Sequence, residues 1–334
     1  MGSEPRPFLI DHYNRRLSYL RISITDRCNL RCLYCIPRKG VPKLRHEDIL
    51  TYEEILRIAR IAVGLGVEKI RLTGGEPLLR KGIYSFLPQL ASLPGLKDVS
   101  LTTNGVYLKG NLENIKSSGI RRINVSLDTL HRKKYERITG QDRFEAVWEG
   151  IETARAMGFH PIKINVVTVK GLNDDEILDF ARLSLDHPYY IRFIEYMPLG
   201  MGNPVIPLTH VSTDHIKEQL KEIGSLTPVT SGRFDGPAER FRFKGAAGEI
   251  GFISPLSHHF CATCNRLRLT ASGSLRPCLL SDIEEDLKGP LRDGASDMEL
   301  ADIFKKAADM KPPSHYLAST GSIPPSGHMS AIGG

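Results

Sequence analysis

Six strand-like runs follow one another along the first two thirds of this 334-residue chain. They cover residues 20–25, 69–73, 98–103, 122–127, 162–169 and 190–195, and helical patterns separate most of them. Ile55, Ile58, Ala59 and Ala62 recur with helical spacing, as do Phe144, Val147, Trp148 and Ile151. Ile177, Phe180 and Ala181 begin another such stripe before Pro188 ends it. Strands alternating with amphipathic helices require a parallel sheet with right-handed crossovers. Six units predict an α/β fold, an incomplete (β/α)6 TIM-like barrel. A doubly wound open sheet has the same alternation and is the other candidate.

The phase inside the strands adds a second constraint. Parallel strands covered on both faces read as continuous apolar runs. Here Ile22 and Ile24 alternate with Arg21, Ser23 and Thr25, and Ile70 and Leu72 with Arg71 and Thr73. Ile123, Val125 and Leu127 alternate with Asn124, Ser126 and Asp128, and Ile162, Ile164 and Val166 with Lys163 and Asn165. With the apolar phase under the helices, the polar phase must face the barrel interior. An interior rich in Arg and Lys is a wet cavity for an anion.

The six cysteines fall in two sets of three. Cys28, Cys32 and Cys35 form C-x3-C-x2-C directly after the first strand, which in a barrel is the catalytic rim. Cys261, Cys264 and Cys278 form C-x2-C-x13-C near the end. Thiolates select zinc or iron–sulfur clusters, and both ordinarily take four protein ligands. Two sets of three therefore predict two clusters, each with one iron open to something other than protein. A zinc ribbon using His258 or His259 as fourth ligand is the alternative for the second set.

Bulk properties limit the partners. Lys and Arg outnumber Asp and Glu by 45 to 38, a net charge of +7 that suits an anionic ligand. The basic residues form no long run and only 7% of residues are aromatic, so a nucleic-acid surface is the weaker reading. No apolar run is long enough to span a bilayer, and residues 1–20 lack the apolar centre of a signal peptide. A cytoplasmic setting is expected, where thiols stay reduced and available to metal. A disulfide framework is disfavoured, because a chain of this length has core enough without one.

Thr73-Gly74-Gly75-Glu76-Pro77 follows the second strand. Its glycines would let backbone approach a ligand, and Glu76 would offer a carboxylate to an amine. Alone this is an ordinary turn. Together with C-x3-C-x2-C and Tyr34 before the last cysteine, it resembles the radical S-adenosylmethionine (SAM) enzymes. In that family three cysteines hold a [4Fe–4S] cluster, and SAM fills the open iron and supplies a radical that abstracts hydrogen.

The second cysteine set narrows the resemblance. Arg266 and Arg268 lie beside it at i, i+2, so in a strand they share a face, and guanidinium forks suit phosphate oxygens. From about residue 17 to Gly334 the chain resembles the GTP 3′,8-cyclase family, through the paired triads, the 265–269 segment, Ile138-Thr139-Gly140 and the ending from His328 to Gly334. The resemblance implies that guanine ligates the open iron of a second [4Fe–4S] cluster. The radical then removes the ribose 3′ hydrogen, and the ribose carbon attacks C8 of the same guanine. The product, a 3′,8-cyclised dihydro-GTP, passes to cyclic pyranopterin monophosphate synthase in molybdenum-cofactor biosynthesis. A low-potential electron donor and a homodimer are implied too.

Carried over by position, Tyr34, Gly75, Ser126 and Met197 fall at SAM contacts. Arg21, Arg71, Thr102, Lys163, Arg266, Leu267 and Arg268 fall at GTP contacts. Arg192 is a further candidate, expected to meet the catalytic tail residues Gly333 and Gly334. Trp148 reads as packing, and His315 and His328 as polar tail residues. Two rivals remain: another radical SAM enzyme with an auxiliary cluster, such as one modifying peptides, and a zinc protein binding nucleic acid.

Pro and Gly crowd the chain after about residue 226, and the βα spacing stops. This places a boundary near 225–235, with residues 1–228 as the barrel holding the first cluster. Residues 229–334 form an extension carrying the second. The Pro-, Gly- and Ser-rich end and the first 15 residues are expected to be flexible.

Overall fold

A computed structural model describes residues 8–37, 39–199, 208–315 and 329–333. Six βα units come first. They run β1 (Tyr19–Ser23), α1 (Tyr52–Gly64), β2 (Lys69–Thr73), α2 (Ile83–Ala91), β3 (Asp98–Thr103), α3 (Leu112–Ser117), β4 (Ile123–Ser126), α4 (Arg132–Thr139), α5 (Phe144–Ala156), β5 (Ile162–Thr168), α6 (Ile177–Asp186) and β6 (Tyr189–Glu195). After them come α7 (Thr213–Leu220), β7 (Leu226–Pro228), β8 (Glu239–Phe243), β9 (Glu249–Ile253), β10 (Arg266–Leu269), β11 (Ser274–Arg276), β12 (Glu285–Asp286), α8 (Lys288–Arg292), α9 (Asp297–Asp309) and α10 (Met329–Ile332). The expected strands are all present, with ends shifted by at most two residues.

One 12-stranded sheet runs through the molecule in the order β12-β11-β10-β1-β2-β3-β4-β5-β6-β9-β8-β7. From β10 through β9 every neighbouring pair is parallel. From β1 to β6 the order never reverses, so there is no topological switch point and the doubly wound alternative is excluded. Among the described residues β7 and β12 do not pair, so the sheet is open, as an incomplete barrel requires.

Leu20, Ile22, Ile70, Leu72, Leu101, Ile123, Val125, Ile164, Ile191 and Phe193 are fully buried in the main core. The α1 helix shows how the sequence covers them. Thr51 and Glu54 close a capping box at its start, and Ile55, Ile58, Ala59 and Ala62 turn one apolar face inward. Trp148 packs on this core and stacks on Phe144, as its helical stripe implied. With the apolar phase used in this way, the polar phase faces the concave side.

Three expectations change. Residues 8–15 are part of the fold: Leu9 lies in the core, and Arg15 is buried and donates to the carbonyls of Cys261 and Pro312 at 2.7 Å. Residues 329–333 are a buried helical turn against β1, with Gly333 N–H on the Met329 carbonyl at 3.1 Å. His315 is buried, its Nε2 2.6 Å from the Pro255 carbonyl, so it belongs to the interior rather than to a polar tail. Gly334 and His328 lie outside the described residues. The sheet also crosses the 228/229 boundary without a break, because β9 and β10 flank β6 and β1.

Candidate functional site

Strand register brings the inward residues into rows. Arg268, Arg21, Arg71 and Ser100 are successive partners across β10, β1, β2 and β3. One step nearer the strand starts, Arg266, Tyr19, Lys69 and Asp98 form the next row. Three arginines side by side repel one another, a destabilising arrangement unless an anion joins them. Burial is the main force lowering Arg21 to about 10, Arg192 to about 9 and Lys69 to about 8, with cationic neighbours contributing to each.

From these rows Arg268, Arg21, Arg71, Arg266 and Tyr19 line a cavity of about 290 Å³ that all six cysteines also face. The first set lies in the loop after β1; Cys261 and Cys264 immediately precede β10, which runs parallel to β1, and Cys278 follows β11, which runs antiparallel to β10 and returns to its start. The two sets therefore sit at opposite ends of the same two strands.

The interlocking of two turns positions the first set. A Cβ on Gly75 would lie 2.3 Å from the Arg27 carbonyl oxygen, and one on Gly74 2.6 Å from that of Thr25. Gly75 N–H and Glu76 N–H donate to the Thr25 and Arg27 carbonyls at 2.7 and 2.8 Å. The glycines thus admit the cysteine loop, and both also line the cavity. Glu76 likewise does not reach out to an amine. It is fully buried and accepts from Asn104 N–H at 2.7 Å, Thr103 hydroxyl at 2.8 Å and Leu78 N–H at 3.0 Å. Burial pushes its carboxyl up to about 7 against those donors.

Two of the thiols accept local hydrogen bonds. Cys28 Sγ accepts from Leu30 N–H at 3.4 Å and from Asn104 Nδ2 at 3.7 Å, and Cys278 Sγ from Leu280 N–H at 3.4 Å. Backbone donors of this kind tune cluster sulfurs. Burial raises Cys28 and Cys32, and Cys35 to about 12. Cys264 behaves differently: burial opposes its ionisation, but Arg266 and Lys311 outweigh burial and bring it to about 6. The zinc-ribbon alternative loses its fourth ligand. His258 turns to Asp214 at 2.7 Å, and His259 packs edge-on against His315. Among the described residues no three of His, Cys, Asp and Glu are grouped to hold a single ion.

Tyr34, Gly75, Ser126 and Met197 all line the cavity on the side of the first set. Tyr34 donates to Asp128 Oδ2 at 2.7 Å, and Val167 N–H to Oδ1 at 2.9 Å, so Asp128 is held in a defined orientation beside the cysteines. Arg21, Arg71, Thr102, Arg266 and Arg268 line it as well. Arg71 Nε is braced on Ser100 at 3.1 Å. Arg192 Nη2 and Thr102 Oγ1 are buried without a hydrogen-bond partner among the described residues, which is the condition of a site shaped for an absent polar ligand.

Two expected GTP contacts fall elsewhere. The Leu267 side chain lies on the opposite strand face from Arg266 and Arg268, in the apolar core. Lys163 is buried beneath the cavity, its Nζ 3.6 Å from Asp235. Arg192 lines the cavity, but it is Arg268 that meets the tail, donating to the Gly333 carbonyl at 2.6 Å.

Sequence reading placed Asp128 and Asn165 in the inward polar phase without a role, and passed over Tyr19, Lys69 and Asn104. Strand phase carried the signal for two of them: Tyr19 shares a face with Arg21, and Lys69 with Arg71.

Residues 22–184 match the Radical SAM superfamily, and residues 189–317 match Molybdenum Cofactor Synthesis C. The chain is 50% identical over 324 residues to a GTP 3′,8-cyclase of Moorella thermoacetica, covering 97% of this chain and 99% of that protein. It is 51% identical over 304 residues to one of Thermodesulfovibrio yellowstonii, covering 90% and 94%. Among solved structures it is similar to Streptococcus suis SuiB bound to S-adenosylmethionine, with a TM-score of 0.57 and 16% identity over 82% of this chain and 64% of that one. At that identity the likeness concerns the fold.

Proposed function

The chain belongs to the GTP 3′,8-cyclase family, and from that premise we infer how one cavity serves two ligands. The enzyme is a radical SAM lyase that converts GTP to 3′,8-cyclo-7,8-dihydro-GTP, the first step of molybdenum-cofactor biosynthesis. Cys28, Cys32 and Cys35 would hold the [4Fe–4S] cluster that binds SAM. We assign Cys261, Cys264 and Cys278 to a second [4Fe–4S] cluster whose open iron faces guanine. When bound, the first cluster and SAM supply the radical that removes the ribose 3′ hydrogen.

Protein residues do the positioning. Tyr34, Gly75, Ser126 and Met197 would line SAM, with Asp128 fixed by Tyr34. Arg266 and Arg268 would hold the nucleotide near the second cluster. Arg21, Arg71, Thr102 and Arg192 would receive its phosphates, with Lys163 behind them. The observation that carries this reading is the row Arg268–Arg21–Arg71 between the two cysteine sets, a concentration of guanidinium groups that suits the phosphates of a nucleotide. A rival that modifies peptides gives no reason for that row. In this proposal residues 1–228 carry the first cluster, the SAM contacts and the residues that receive the phosphates, and 229–334 carry the second cluster with Arg266 and Arg268. A homodimer, a cytoplasmic setting, a low-potential electron donor and hand-over to cyclic pyranopterin monophosphate synthase complete it. Among the described residues no helix is long and apolar enough to cross a membrane.

Anaerobic turnover with GTP, SAM and a strong reductant tests the function. The expected products are 5′-deoxyadenosine and an isomer of GTP retaining all its phosphates. Deoxyadenosine forming at the same rate with and without GTP would overturn the substrate.

A further inference from the structure

Tyr19 opens β1 and stands between Arg266 on β10 and Lys69 on β2. Its side chain is only 3% exposed and lines the cavity, and its hydroxyl has no hydrogen-bond partner among the described residues. Lys69 Nζ lies 4.8 Å from its ring centroid and Arg71 Cζ 5.7 Å, so cations flank the ring as well. A buried hydroxyl without a partner forgoes a hydrogen bond that water would have supplied.

The nature of the neighbours decides what is missing. Lys and Arg side chains are donors only. Surrounded by them, the Tyr19 hydroxyl proton finds no acceptor, and a bound anion is the partner the chemistry requires. We propose that Tyr19 is a substrate-positioning residue whose hydroxyl donates to a phosphate oxygen of the nucleotide. This rests on the reading of the cavity as the GTP site and adds to it a neutral donor among the cations. Burial pushes the phenol up, but Arg71, Arg21, Lys69 and Arg266 outweigh it and bring the group down to about 8, which strengthens it as a donor below that pH.

The test is equilibrium binding of GTP and of guanosine to the cluster-loaded enzyme, wild type and Tyr19→Phe, with thermal melting of both. Tyr19→Phe should weaken GTP about tenfold, the value of one hydrogen bond to a charged acceptor. It should leave guanosine, SAM binding and iron content unchanged. Without nucleotide the variant should melt no lower than wild type, because it loses only an unpartnered group, yet gain less from added GTP. GTP affinity within twofold of wild type, or equal weakening of guanosine, overturns the proposal. Wild-type enzyme that holds no GTP would instead overturn the reading of the cavity on which it rests.

Discussion

Lys163 is a strongly displaced cation. Burial, then the positive charges of Arg192 and Arg71, bring it down to about 6, and Asp235 offsets part of that. Near neutral pH it is therefore largely uncharged in the free protein. A triphosphate arriving nearby would raise its affinity for a proton. The Tyr19 phenol at about 8 would be raised in the same direction. Binding then takes up protons, so GTP affinity falls as pH rises from about 6 through the bound-state values. Calorimetry at pH 7.5 in buffers of different ionisation heat should find net uptake; release would contradict this. At this scale the sequence was readable where phase and charge coincided, as at Arg21, Arg71 and Arg268. It misled at Leu267, where a contiguous segment includes a residue on the other strand face, and at Glu76, whose partners come from β3.

At the scale of elements the strands were the most legible part, since two-residue alternation survives any packing. The ending was not. Its Gly and Ser composition reads as a linker, yet residues 329–333 fold back onto β1, and Gly333 takes a φ of +79 where a Cβ would lie 2.5 Å from Thr73 Oγ1. Nothing local in the sequence encodes that return; the partner is Arg268, 65 residues earlier. Removing Gly333 and Gly334 takes from Arg268 a charge-assisted bond worth about 1.5–3 kcal/mol. Cyclisation should fall roughly tenfold or more, while reconstituted iron stays at about eight atoms per chain for two clusters. Unchanged turnover would remove the tail from the site, and iron near four would give it a structural role instead.

At the scale of the whole molecule one open sheet does the work of two regions. Because β9 and β10 extend the barrel's own sheet, the second cysteine set is carried back to the start of β1, across the same cavity from the first. Composition marked the change near residue 228 but could not show that the extension shares a sheet with the barrel, since parallel pairing across that distance leaves no local trace. The account's central claim is that SAM and GTP meet in this one cavity, reacting ends together. GTP carrying deuterium at the ribose 3′ carbon, given to the reduced enzyme with SAM in a single turnover, measures that meeting. The account predicts 5′-deoxyadenosine bearing the deuterium. Unlabelled deoxyadenosine formed while the nucleotide is cyclised would contradict it.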